Sequence, residues 1–203
     1  MKIFALIRNY GEGSGGGSPW GEGGVDWYEM PDSSIVRSGN PVFLPDFAER
    51  YEAYPSIVYR IGRLGKSIKP RFADRYVDQW GIAVAMVAVD LLQELREGGH
   101  PWTRAVAYDR SCMLGNLEPL DTLKDIEGIR IEAGEESLDY HRDQIREGID
   151  EVIARLSAHN TLKNGDFVLV ALPRQGLLLK EETHLSAYPI EDNQRHLIDI
   201  NIK

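Results

Sequence analysis

The stretch 81–89 reads GIAVAMVAV, an almost unbroken apolar run, too short and too rich in β-formers to be other than a strand buried on both faces. A strand of that kind needs partners on either side, so it commits the chain to an interior sheet. The residues before it supply one. Tyr54, Ser56, Val58 and Arg60 alternate with Pro55, Ile57, Tyr59 and Ile61, a period of two that places Tyr54 and Ser56 on the same face of a strand. Residues 63–66 are expected to turn the chain, with Gly62 before the turn and Gly65 within it. Phe72, Ala73, Tyr76 and Val77 follow Pro70 at helical spacing, which predicts a helix start. The central unit is therefore expected to run strand, turn, helix, strand.

On both sides of that unit the pattern alternates short apolar runs with turn residues. Residues 2–8 predict a first strand and residues 42–44 a short one, whereas 46–52 is a polar connection. Residues 91–97 predict a helical turn or two, stopped at Gly98 and Gly99. Ile129 and Ile131 mark a half-exposed strand, and Ile145, Ile149, Val152, Ile153 and Leu156 one face of a helix over 140–158. Strands are expected at 167–172, 177–180, 184–188 and 196–202, the last one-sided and suited to a sheet edge or interface. With 203 residues, no internal repeat and no long linker, a single α+β domain over 1–203 is predicted.

Composition excludes several functions. A formal net charge of -9 and the absence of any basic run argue against nucleic acid and anionic membranes as partners. One cysteine, Cys112, rules out an internal disulfide and suits a reducing, cytoplasmic setting. Cys112 has no histidine partner nearby in sequence, so packing is the expected role. No stretch is long enough to cross a bilayer as a helix. The segment Gly11, Gly13, Gly16 fits a G-x-G-x-x-G spacing, but Gly17 to Gly24 cannot continue as the helix a dinucleotide would need. It is expected instead to be a flexible glycine-rich loop over 11–24. His100, beside Pro101 and Trp102, has no second ligand at metal spacing. His141, Asp143, Glu147 and Asp150 are expected to form the wet face of the 140–158 helix.

The string YPSIVYRIGRLGK…ADRYVDQWGIAVAMVAVD resembles the fumarylacetoacetate hydrolase family, whose pattern runs E-x-E-x-x-x-V-I-G-x-x-G-K, A-x-x-Y-V-x-G-Y, then N-D-x-x-x-R-D. Ile61, Gly62, Gly65, Lys66, Ala73, Tyr76, Val77 and Asp90 fall on it without a gap. Arg8-Asn9-Tyr10, Pro31 to Ser34, Gly39 to Val42, Pro101 to Ala105, Asp109, Leu114-Gly115, Leu156-Ser157, Thr161-Leu162, Gly165-Asp166 and Pro173 extend the likeness over most of the chain. The resemblance implies the family's mixed β-sheet roll with packed helices, and its homodimer.

Its chemistry does not carry over. The family's two metal-binding glutamates fall on Tyr54 and Ser56 and the aspartate on Ala85; the lysine falls on Val106, an arginine on Val89, a Gly-Thr pair on Ala171-Leu172, and the lid histidine and glutamate on Gly13 and Gly16. A hard cation such as Mg²⁺ or Mn²⁺ is held through carboxylate oxygens, so the family's metal site is expected to be lost. Sliding the register to bring Glu52 into a ligand slot would displace Ile61-Gly62 and Gly65-Lys66 together. The expectation is a noncatalytic member of the family, binding a protein or a small anionic metabolite in a remodelled cavity. The alternative is an active hydrolase, decarboxylase or isomerase working on a carbon–carbon bond or keto–enol centre, with Tyr54, Asp109, Arg8 and Arg104 as the groups to test.

Overall fold

The apolar run does become an interior strand, and its neighbours set the geometry of everything else. In a computed structural model describing residues 1–11 and 19–203, the chain proceeds through β1 (Lys2–Ile7), β2 (Asp26–Pro31), β3 (Ile35–Arg37), β4 (Tyr51–Ile61) and β5 (Val77–Ala88). Next come α1 (Val89–Glu97), α2 (Thr103–Val106), β6 (Cys112–Leu114), β7 (Glu118–Pro119), β8 (Gly128–Ala133), β9 (Glu136–His141) and α3 (Ile149–His159). β10 (Phe167–Leu169), β11 (Leu177–Leu178), β12 (Thr183–Pro189) and β13 (Ile198–Ile202) complete it.

Two sheets share one apolar core. The larger is mixed, ordered β2-β1-β10-β4-β5-β6-β3, with β11 added to β4 and β7 to β5; the smaller is antiparallel, ordered β13-β12-β8-β9. β4 and β5 pair along almost their whole length, with Tyr54 opposite Ala85, Ser56 opposite Ala83 and Ile57 opposite Ile82. Both faces of this pair are covered, which is why neither strand shows a clean polar alternation. The fold is α+β, a curled half-barrel sheet closed by a second sheet with few helices. Among the described residues no helix is long and apolar enough to cross a membrane.

Asn9 shows how the layers are tied. Fully buried after β1, it donates from Nδ2 to the carbonyl oxygens of Glu147 and Val170 and accepts the Glu147 amide at Oδ1. One side-chain amide thereby satisfies three main-chain groups from two distant segments.

Four sequence expectations are corrected here. The helix after Pro70 is a 3₁₀ segment, Pro70–Arg75, because Val77 already opens a twelve-residue strand and leaves no length for α-helical turns. The 140–158 helix is confined to Ile149–His159 behind the N-cap Gly148. Upstream of it, Glu136–His141 gains ladder partners on β8, and Tyr140 stacks on Tyr10 with ring centres 4.5 Å apart. His141, Asp143, Glu147 and Asp150 consequently share no helical face. Finally, 42–44 is not a strand: Val42 makes a single bridge to Ile202 and lies along β13. Half of the expected glycine-rich loop over 11–24, residues 12–18 with Gly13 and Gly16 among them, lies outside the described residues; in the other half Trp20 is buried.

Candidate functional site

β4 begins at Tyr51, three residues earlier than its sequence pattern suggests, and that extension builds the site. With a side-chain period of two, Glu52 falls on the face that carries Tyr54 and Ser56. Directly after β5, α1 presents Asp90, Gln93 and Glu97 at helical spacing, with Arg96 beside them. The loop before β11 brings Arg174, Gln175 and Gly176 alongside, because Leu177 and Leu178 pair with Ala53 and Glu52. Arg50, Glu52, Tyr54, α1 and the 174–176 loop together enclose a cleft of about 860 Å³.

At its floor Tyr54 donates its phenolic proton to Glu52 Oε2 at 2.6 Å. The other oxygen of Glu52 accepts Arg50 Nε at 3.1 Å and Nη2 at 2.6 Å. The carboxylate is only 12% exposed, the guanidinium 61%, so the charge pair runs from interior to solvent. Burial, reinforced by the Glu52 carboxylate, pushes the Tyr54 phenol far above its ordinary pKa, and it remains a proton donor throughout the physiological range. Asp90 accepts the amides of Glu49 and Leu91, and Glu97 accepts Gln93 Nε2. Arg96 donates to the carbonyl oxygen of Pro19 at 2.6 Å. Each carboxylate of the cleft thus already accepts bonds from protein donors, while three guanidiniums converge on the same space.

The positions that the resemblance gives to metal ligands lie deeper. Tyr54, Ser56 and Ala85 are fully buried. Trp20 meets the Tyr54 ring edge-on with centres 5.0 Å apart and stacks with Tyr28 at 6.1 Å, held there by Nε1 donating to the carbonyl oxygen of Pro173. Gly176 completes this packing: a Cβ there would stand 2.9 Å from both the Tyr54 ring and the carbonyl oxygen of Ala53. Ser56 Oγ donates to the carbonyl oxygen of Ile57 and accepts the Ala171 amide. A phenol already bonded to a carboxylate, a hydroxyl taken up by main chain and a methyl group do not fit a hard divalent cation. Among the described residues no three His, Cys, Asp or Glu are placed to hold a metal ion.

Of the four candidate groups drawn from sequence, Tyr54 alone lines the cleft. Arg8, in a left-handed conformation at φ 62°, donates to the carbonyl oxygens of Trp20 and Gly24 and to Asp26, and so anchors the segment that carries Trp20. Arg104 in α2 and Asp109 after it are exposed and away from the cleft. Val106, Ala171 and Leu172 are buried, and Val89 contributes to the cleft wall. Sequence reasoning weighed Glu52 only through a slipped register and set it aside, and missed Arg50, Arg96 and Arg174 as cleft residues. Extending the two-residue period back from Tyr54 would have found Glu52; the arginines meet only through the fold.

Residues 2–181 match the family described as fumarylacetoacetate (FAA) hydrolase, C-terminal. A mitochondrial oxaloacetate tautomerase of Rattus norvegicus is 24% identical over 160 residues, spanning 77% of this chain and 72% of that protein. The crystal structure of fumarylpyruvate hydrolase from Pseudomonas aeruginosa, in complex with Mn²⁺ and pyruvate, superposes with a TM-score of 0.85 at 20% identity, covering 100% of this chain and 90% of that one. That of 5-carboxymethyl-2-hydroxymuconate delta-isomerase from Mycobacterium smegmatis does so with a TM-score of 0.83 at 21% identity, covering 99% and 78%.

Proposed function

Because the chain belongs to the fumarylacetoacetate hydrolase family, we propose that it keeps the family's fold and cleft without the family's metal-dependent catalysis, and that it works by taking up a small organic anion. The observation that carries this reading is the contact of Trp20 on Tyr54 at 5.0 Å, with Ala85 across the ladder from Tyr54. Aromatic carbon fills the place where carboxylates would have to gather around a cation. Relatives act on, or are bound to, small carbonyl acids by name, and the arginines at the cleft mouth supply the charge-assisted hydrogen bonds such acids require. A cytoplasmic setting, expected from the single cysteine, and a homodimer, implied by family resemblance, belong to the same proposal.

The test is a pair of titrations followed by thermal shift and calorimetry. Mn²⁺ and Mg²⁺ are expected to leave the melting temperature unchanged, and pyruvate or oxaloacetate to raise it in the presence of EDTA. Stoichiometric Mn²⁺ binding, with hydrolysis or decarboxylation of oxaloacetate abolished by chelation, would overturn the proposal. A second reading, chemistry at a keto–enol centre through other groups, draws on one feature: a carboxylate in the cleft wall, bonded to a phenol and a guanidinium.

A further inference from the structure

β4 and β5 are not joined by a tight turn. Between Ile61 and Val77, which face each other in the ladder, the chain makes an excursion over residues 62–76. Its two ends are tied together: the Gly62 amide donates to the carbonyl oxygen of Tyr76, and a Cβ on Gly65 would stand 2.4 Å from the Tyr76 ring. Its middle lies along α3. There the Ser67 amide donates to the carbonyl oxygen of Ser157, the Ile68 amide to Ser157 Oγ and Lys66 Nζ to the carbonyl oxygen of His159. The excursion is therefore a fixed surface. It sets five cations, Arg63, Lys66, Lys69, Arg71 and Arg75, against one carboxylate, Asp74, a net +4 in a chain of -9 that leaves -13 on the remainder. No two of the five adjoin in sequence, so the charge gathers only in the fold.

All five cations are exposed, and among the described residues none of them is ion-paired. Arg71 and Arg75 both stand over the Phe72 ring, their Cζ atoms 4.7 and 4.9 Å from its centre, which holds two like charges side by side. Leu64, in the same excursion, is 66% exposed. We propose that this surface docks an acidic segment of a partner protein, whose carboxylates pair with the five cations and one of whose apolar side chains covers Leu64. An extended polyanion, a membrane face or a nucleic acid, would also confront the acidic remainder of the molecule within the screening distance of about 8 Å. A short peptide segment stays within the excursion. None of these residues lines the cleft, so the docking surface is independent of the anion-binding reading.

Fluorescence anisotropy of a fluorescein-labelled Glu-Glu-Leu-Glu-Glu peptide, titrated with the whole chain, tests this. Binding is expected at low ionic strength and should weaken about tenfold at physiological salt. Arg71→Gln with Arg75→Gln should weaken it about tenfold, and serine in place of the peptide's leucine about threefold. Arg63→Gln with Lys69→Gln should act in the same direction, so misfolding of one double variant, read by circular dichroism, leaves the other to decide. No anisotropy change at low salt, or an affinity unmoved by both double variants, would overturn the proposal. Tighter binding of phosphatidylserine vesicles or of a DNA oligonucleotide of equal charge would overturn it in favour of those surfaces. Salt-sensitive self-association without peptide binding, seen by ultracentrifugation and abolished by the same substitutions, would overturn it in favour of a second copy of this chain.

Discussion

Tyr54 stands directly across the β4–β5 ladder from Ala85, and the two differ in what they leave for each other: a methyl on one strand makes room for a phenol on the other. Trp20 and Gly176 then close on that phenol from above and beside. The floor of the cleft is thus a phenol backed by packed aromatic rings, and the charged groups, Glu52 and the arginines among them, line its wall.

Placing a carboxylate back at position 85 is therefore expected to harm the protein. Ala85→Asp would bury a charge between Tyr54 and Cys112, its two ladder neighbours, neither of them a cation and the Tyr54 hydroxyl already donating to Glu52. The cost of an uncompensated buried charge is about 3–5 kcal/mol, which for a chain of this size corresponds to a fall in melting temperature of roughly 10 °C. Calorimetry would show it, and Mn²⁺ should not reverse it, because position 85 alone completes no ligand set.

Tyr54 itself can be divided into ring and hydroxyl. Tyr54→Phe keeps the contact with Trp20 and loses only the bond to Glu52, a loss of about 1–2 kcal/mol. Tyr54→Ala removes the ring from a fully buried site and should cost about 3–5 kcal/mol. Urea unfolding of the two variants measures the difference; equal losses would mean that the hydroxyl, and not the packing, dominates.

Arg174→Ala tests the anion site at its mouth. On the proposed anion-binding role of the cleft, removing the Arg174 guanidinium from its lining should weaken pyruvate binding about tenfold, equivalent to roughly 1.4 kcal/mol, and should reduce the salt dependence of the affinity. Calorimetric titration at two ionic strengths reads both effects. An unchanged affinity would place the anion elsewhere.

How much of this was legible in the sequence depends on how local the cause is. GIAVAMVAV and the alternation from Tyr54 to Ile61 define β4 and β5 because side-chain period is a property of the strand itself. The neutral groups at 54, 56 and 85 could likewise be placed by register, and β5 does set Tyr54 against Ala85. The start of β4 was not legible: Asp46 to Glu52 read as a polar connection, and only pairing with β5 and β11 makes Tyr51 to Ala53 strand and turns Glu52 into a cleft residue. The helix expected over 140–158 starts only at Ile149 for the same reason. Ladder bonds to β8 outweighed a helical spacing that began too early. Arg50, Arg96 and Arg174 come from three separate segments, and no spacing along the chain announces that they converge.

The alkaline limb of stability should carry the signature of Cys112. The thiol is buried in β6, and burial pushes its pKa up to about 12, with a smaller opposing effect from Arg37. In the unfolded chain the thiol ionises near its ordinary value of about 8.5. A group whose folded pKa is raised contributes its stability in full below the unfolded pKa and loses it as pH rises toward the folded one. Stability should thus start to fall as the pH passes about 8.5, with a limiting slope of about 1.4 kcal/mol per pH unit from this group. Tyr51, whose pKa burial and the nearby Asp90 also raise to about 12, joins in only above about 10, the ordinary tyrosine value. Cys112→Ala should hold its own neutral-pH stability about 1.5 pH units further before declining, since tyrosine ionisation then sets the onset. Urea midpoints measured across the range decide it: identical onsets for wild type and variant would show that thiol ionisation contributes nothing, whereas a delayed onset in the variant assigns the first step to Cys112.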